Sequence, residues 1–159
     1  MNDHIREKHG GASGGRMDVR VWLRLISCST IIEKRLRRRF VQRFDTTLPR
    51  FDVLAALERR PDGITMSELS RALLVSNGNV TAIVRQLESD GLVSSKAPAG
   101  DKRSSIVSVT AKGRGYFQEL AAAHHAWIQA AFAGMSREEQ ATLYTLLAKL
   151  KTSIGAERD

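Results

Sequence analysis

Asn77, Asn79, Thr81, Arg85 and Gln86 crowd into one short stretch that follows Ser76. Their chemistry is that of reading a duplex. An Asn amide pairs bidentately with adenine, and a Thr side chain meets a thymine methyl or a phosphate. Arg and Gln one turn later are better placed for phosphate oxygens. If the stretch is a helix capped by Ser76, its early positions are the ones that enter a major groove. Lys102 and Arg103 follow in the polar segment Pro98-Ala99-Gly100-Asp101-Lys102-Arg103. They add two cations to the same candidate surface.

The flanking pattern supplies the elements that position these groups. Thr65-Met66-Ser67-Glu68 has the form of a capping box, in which hydroxyl and carboxylate satisfy orphan amides at a helix start. That helix carries Leu69, Ala72 and Leu73. The next places Val80, Ile83, Val84 and Leu87 inward and stops at Asp90-Gly91, where Gly supplies a left-handed C-cap. Leu92 to Ala97 and Ser105 to Val109 then read as two strands around a hairpin tip. Two short helices, a tight turn and a hairpin predict a winged helix-turn-helix. Any small helical hairpin exposes polar residues. The spacing, the capping box, the hairpin and the basic tip together favour a DNA-binding head over that alternative.

Longer helices flank the head. From Asp18, read as an N-cap, Trp22, Leu25, Ile26, Ser29, Ile32, Leu36 and Phe40 recur at helical steps to about Phe44. Thr47-Leu48-Pro49 opens a second helix bearing Phe51, Val53, Leu54 and Leu57, closed by the turn Pro61-Asp62-Gly63. Thr110 starts a helix to about Ala133, with Phe117, Leu120, His124, Trp127 and Ile128 along one side. Ser136-Arg137-Glu138-Glu139 is a second capping box, followed by the stripe Leu143, Leu146, Leu147, Leu150 and Ile154. The expected organisation is mainly α with a small β-hairpin wing. Residues 1–16 form a disordered tail, 17–47 and 111–154 form dimerisation helices, and 48–110 form the winged head.

Composition narrows the class. The chain has 159 residues, 42% hydrophobic and 26% charged, enough for one globular domain with a core. No apolar run approaches the ~20 residues of a membrane span, and the amino terminus lacks the apolar core of a secretory signal. One cysteine, Cys28, excludes an internal disulfide framework and a Cys-rich zinc site. A reducing cytoplasm is the expected compartment. The net charge of +8 is uneven: residues 16–60 carry +7, while 61–110 are neutral overall. The predicted head therefore binds DNA through a few placed residues, not bulk charge.

Leu87-Glu88-Ser89-Asp90-Gly91-Leu92-Val93, then Asp101-Lys102-Arg103, then Thr110-Ala111-Lys112-Gly113, resembles the MarR family of bacterial transcription regulators. The resemblance runs from about Val19 to Ile154. It implies that Asp101 orients Arg103, which enters a minor groove and reads its potential. It also implies a triangular homodimer whose first and last helices interdigitate and whose heads straddle a palindromic operator, about 34 Å apart. The chain departs from the family pattern at Leu74, where relatives often have Gly, and at Ala82, where they often have Arg.

Six of the ten residues from Lys34 to Arg43 are basic. With about 100° per residue, Leu36 and Phe40 define the buried side, while Arg37 and Arg39 flank it. A solvated helical face is one reading of this run. The other is a site for an amphipathic ligand with a phosphate-rich head, which flanking arginines suit. Trp22 to Leu57, including Phe44-Asp45-Thr46-Thr47-Leu48-Pro49-Arg50-Phe51, also resembles family members that sense aromatic acyl-CoA thioesters. This implies an effector such as p-coumaroyl-CoA and a repressor of aromatic-acid catabolism genes. Trp22, Phe51 and His124 are candidate pocket lining, with ordinary core as the competing reading; Arg37, Arg38 and Arg39 are the candidate phosphate contacts.

Other classes fit less well. The four histidines lie in the tail or at 124–125, and no catalytic triad, phosphate loop or paired-carboxylate motif is present, so neither an enzyme nor a cofactor is expected. Adjacent His124 and His125 face different directions on a helix and make a poor metal pair. A redox regulator would use Cys28, at the flank of the apolar stripe, and an inert packed cysteine is the competing reading. An architectural DNA binder would show no preference for a palindrome and a steep salt slope.

Overall fold

The structure, a computed structural model, describes residues 16–74, 76–96 and 105–156. The expected tail and wing tip therefore lie outside the described residues, apart from Arg16. The elements in chain order are α1 (Met17–Phe44), α2 (Leu48–Glu58), β1 (Ile64–Thr65), α3 (Met66–Leu73), α4 (Asn77–Ser89), β2 (Val93–Lys96), β3 (Ile106–Val109), α5 (Ala111–Ala131) and α6 (Arg137–Ala156). Mostly helical with one small antiparallel sheet, this is a winged helix-turn-helix arrangement. The chain divides into two compact units, one through His124 and one from His125.

The core of the first unit is built on α2, α3 and α4, which pack on one another. Phe40, Val53, Leu54, Leu57, Leu69, Val80, Leu87, Val107 and Leu120 are fully buried there. The predicted box at α3 is present: the Thr65 hydroxyl accepts from the Glu68 amide at 3.3 Å, and the Glu68 carboxylate accepts from the Thr65 amide at 2.8 Å. Ser136 and Glu139 make the same reciprocal pair at α6. Gly91 has φ +71°, the left-handed geometry expected after α4.

Three local expectations are corrected. Asp18 is not the N-cap of α1. Arg16 holds that position, and Asp18 lies in the first turn, taking a 2.8 Å ion pair from Arg16. An acid there still suits the positive end of the helix. Ser76 does hold the N-cap position of α4, but its hydroxyl makes no capping bond; its carbonyl accepts from Val80. Finally, the sheet has three strands, not two, in the order β1-β3-β2. Ile64 pairs with Val107 and Thr65 with Ile106, while Val93 through Lys96 pair with Val109 back through Ile106.

A knot of contacts joins the two ends of the hairpin. The Thr110 amide donates to the Leu92 carbonyl at 3.0 Å, and the Thr110 hydroxyl donates to the Gly91 carbonyl at 2.7 Å. The same hydroxyl accepts from the Gly113 amide at 3.0 Å and so caps α5. Lys112 donates to the Asp90 carbonyl at 2.7 Å. These bonds set the base of the β2–β3 hairpin against the C-terminus of α4 and the N-terminus of α5.

Candidate functional site

Helix α4 presents one buried and one open face. Val80, Val84 and Leu87 are buried, while Asn79, Arg85 and Gln86 are exposed. Thr81 is half-buried at the border between the faces, and Ser76 is exposed at the head of the helix. The middle of the open face consists of Gly78 and Ala82, both exposed. A Cβ placed on Gly78 would meet nothing within 4 Å. Helical spacing sets Asn79 and Gln86 on one side of this small-residue strip and Arg85 on the other. Such a strip lets the backbone approach a groove closely while the longer side chains reach past it. Ala82, a departure from the family pattern, belongs to this strip. The side chain of Asn77, and Asp101, Lys102 and Arg103, lie outside the described residues.

The turn before α4 carries backbone strain. Leu74 has φ +55° and is 91% exposed. It occupies left-handed geometry, which costs a non-glycine residue about 1–2 kcal/mol. The expected departure at this position is thus one of residue type, with the left-handed geometry that favours Gly still in place.

A cleft of about 710 Å³ opens elsewhere in the first unit. Phe51 and His124 both line it, their ring centroids 4.6 Å apart and their planes inclined by 30°. Phe117 stacks on Phe51 with centroids 5.7 Å apart, and the Phe40 ring lies 5.0 Å from that of Phe51. Arg59 and Arg60 line the same cleft and are exposed. Asp52, also in its wall, has its pKa raised by burial; nearby Arg37 lowers it and Glu33 raises it.

The structure therefore brings Phe51 and His124 together but not the other effector candidates. Trp22 is 56% exposed on α1 and does not line the cleft. Arg37 and Arg38 are exposed and Arg39 is half-buried, and none of the three lines it. Arg37 is engaged along its own helix by Glu33, whose carboxylate accepts from its Nε at 2.9 Å and its Nη2 at 2.6 Å. Sequence reasoning did not single out Arg59, Arg60 or Phe117 as cleft residues. Phe117 was visible only as a member of an apolar stripe, and the Arg59-Arg60 pair as charge at a helix end.

Apolar side chains also remain open to solvent within each unit. On α1 these include Met17, Val19, Val21 and Trp22. On α6 they are Tyr144, Leu146, Leu147, Leu150 and Ile154. Cys28 is an exposed free thiol. Among the described residues no group of three or more His, Cys, Asp or Glu is placed to hold a metal ion. Nor is any helix among them long and apolar enough to cross a membrane.

Comparison with known proteins gives a consistent result. A family model described as "MarR family" matches residues 44–104. The "Transcriptional activatory protein BadR" of Rhodopseudomonas palustris is 32% identical over 114 residues, covering 69% of this chain and 65% of that protein. This chain thus spans a little under two thirds of BadR. An uncharacterized HTH-type transcriptional regulator of Bacillus cereus is 30% identical over 131 residues, covering 82% of this chain and 86% of that one. Among solved structures, a MarR family transcriptional regulator from Silicibacter pomeroyi matches with a TM-score of 0.72 at 28% identity. It covers 86% of this chain and 94% of its own. Wild-type MarR from E. coli, in its apo form, matches with a TM-score of 0.68 at 26% identity, covering 80% and 94%.

Proposed function

The chain belongs to the MarR family of transcriptional regulators, and we propose that within it this protein is a homodimeric repressor of aromatic-acid catabolism genes. The family's members bind DNA as dimers and respond to small-molecule effectors; they are regulators, not enzymes. Here the proposed target is a palindromic operator. The proposed effector is an aromatic acyl-CoA thioester such as p-coumaroyl-CoA.

The observation that carries the DNA reading is the open face of α4, with Asn79, Arg85 and Gln86 around a small-residue strip. We assign Ser76, Asn77, Asn79 and Thr81 to the start of the reading helix and Arg85 and Gln86 to phosphates. Lys102 and Arg103, oriented by Asp101, are assigned to the wing. The open apolar residues of α1 and α6 support a dimer, because a second copy would remove them from water.

The effector reading rests on the aromatic wall of the cleft. A hydroxycinnamoyl ring fits against Phe51 and His124, with Phe117 extending the stack. Arg37 lowers the pKa of Asp52 in the cleft wall, which supports a role for the arginine row of α1 near that wall. Arg37, Arg38 and Arg39, with Arg59 and Arg60, are then the proposed contacts of the coenzyme A phosphates, and Trp22 an outer aromatic contact. A ligand releases DNA only if it prefers the conformation whose heads are wrongly spaced.

A gel-shift titration on the operator tests this. Thioester, free acid and bare coenzyme A are added separately, and only the thioester is expected to release DNA at low concentration. Release by the free acid alone would overturn the thioester assignment. BadR is named an activatory protein, so the sign of control needs its own measurement. A promoter fusion whose output falls on deletion of the regulator gene would overturn repression.

A further inference from the structure

Three charges in the first unit sit at the unfavourable ends of their own helices. Arg50 is the third residue of α2 and Lys112 the second of α5, so each cation lies at the positive end of a helix dipole. Asp90 is the C-cap of α4, an acid at the negative end. None of these placements favours the helix that carries it, yet all three meet at one residue. The Arg50 guanidinium donates through Nη2 to the Asp90 carboxylate, and the Lys112 ammonium donates to the Asp90 carbonyl at 2.7 Å. The two helices that supply the cations are themselves joined by the ion pair of Arg114 with Glu58, at 3.4 Å. The Arg50 side chain is 17% exposed, and a guanidinium so enclosed is costly without a paired acid.

The other end of α4 is held less firmly. Ser76 makes no side-chain cap, and Gly78 and Asn79 are exposed. The buried contacts of the helix lie along the single ridge of Val80, Val84 and Leu87, with Thr81 and Ile83 half-buried on either side. A helix resting on one ridge can roll about it. At about 100° per residue, Asn79, Gln86 and Asp90 fall within about 40° of one another around the axis, on one flank of that ridge. Arg50 therefore ties down the flank that carries Asn79. With side-chain tips about 6 Å from the axis, a roll of about 10° moves the Asn79 amide by about 1 Å. That is about twice the spread of ordinary hydrogen-bond lengths.

We propose that Arg50, acting through Asp90, is a positioning residue for base reading. It fixes the roll of α4, so that Asn79 meets a base edge in one geometry, and it does so without touching the duplex. The inference rests on the reading of α4 as the helix that enters the groove. A phosphate contact made by a long side chain tolerates a shift of about 1 Å better than a bidentate base contact does. Loss of the tie therefore costs discrimination between sequences before it costs general affinity for DNA.

The test uses the full chain and a duplex that the unaltered protein selects from a library with a randomised core, beside a shuffled duplex of the same composition. Arg50→Met keeps the apolar bulk of the stem and leaves Asp90, whose side chain is 51% exposed, for water to solvate. It is expected to bind the selected duplex about tenfold more weakly and the shuffled duplex within about twofold of the unaltered chain. Its base preference is expected to flatten at the positions that Asn79→Ala also flattens. Asp90→Glu, which keeps the charge, is expected to retain discrimination. The double variant of Arg50→Met with Asp90→Ala is expected to lose no more than the worse single variant. Circular dichroism checks that each variant is folded, and should Arg50→Met fail that check, Asp90→Ser carries the same comparison. Three results overturn the proposal: unchanged binding of the selected duplex, an equal loss on both duplexes in a folded variant, or flattening only at positions that Asn79→Ala leaves alone. If the unaltered protein selects no duplex, the reading of α4 itself falls, and this inference falls with it.

Discussion

Gly113 lies against the backbone of Leu92 so closely that a Cβ on it would stand 1.9 Å from the Leu92 carbonyl oxygen. That oxygen already accepts from the Thr110 amide. Neither group has room to withdraw without breaking the knot between hairpin and α5. Gly113→Ala is therefore expected to destabilise the protein by about 2–3 kcal/mol, at the upper end of overpacking costs. Urea denaturation followed by circular dichroism measures it, and a change below about 0.5 kcal/mol would contradict the close approach.

Leu74 predicts the opposite sign. Its left-handed backbone costs about 1–2 kcal/mol, and glycine gives back roughly 0.5–1 kcal/mol through a freer unfolded chain. Because the side chain is exposed, little packing is lost. Leu74→Gly is expected to raise stability by about 0.5–1 kcal/mol in the same denaturation experiment.

Asp52 gives a pH dependence. Burial raises its folded-state pKa above the ordinary value, so the fold favours the protonated form. Its contribution is then present below the unfolded pKa and is lost as pH rises through the folded pKa. Asp52→Asn should accordingly be more stable than the unaltered chain at pH 7, with the difference shrinking toward pH 3. Melting temperatures across that range would show it.

Glu68 runs the other way. Its bonds from the Thr65 amide and hydroxyl lower its pKa. The stability it contributes is present above the unfolded pKa and is lost as pH falls through the folded value. In Glu68→Gln, thermal stability should vary less with pH in the acid range than in the unaltered protein.

Arg85 separates phosphate contact from base reading. If it meets a phosphate, Arg85→Ala weakens specific and random DNA about equally and lowers the salt slope by about 1 per head. A loss confined to the operator would instead assign it to a base. Fluorescence anisotropy at several salt concentrations distinguishes the two.

Features set by neighbours in sequence were legible before the structure. Both capping boxes need only residues three apart, and both formed as expected. The left-handed Gly91 followed from a helix that had to stop. Strand β1 was not legible, because two residues carry no period and Ile64-Thr65 becomes a strand only by pairing with Val107 and Ile106, some forty residues on. Helix α4 was legible from its buried stripe of Val80, Val84 and Leu87. The small strip of Gly78 and Ala82 was not legible, because residues with little or no side chain leave no apolar or polar period in the sequence. The cleft was half legible: Phe51 and His124 were named, yet their stacking depends on the packing of α2 and α5. Arg59 and Arg60 belong to it only because α2 ends at its mouth.

The clasp between Gly91-Leu92 and Thr110 also bears on how the head can diverge among relatives. Both ends of the hairpin are tied together where they leave α4 and enter α5. Substitutions at the exposed strand positions Ser95, Lys96 and Ile106 can therefore accumulate without moving either helix. The surface of the hairpin can drift in this way while the frame that holds α4 is inherited intact.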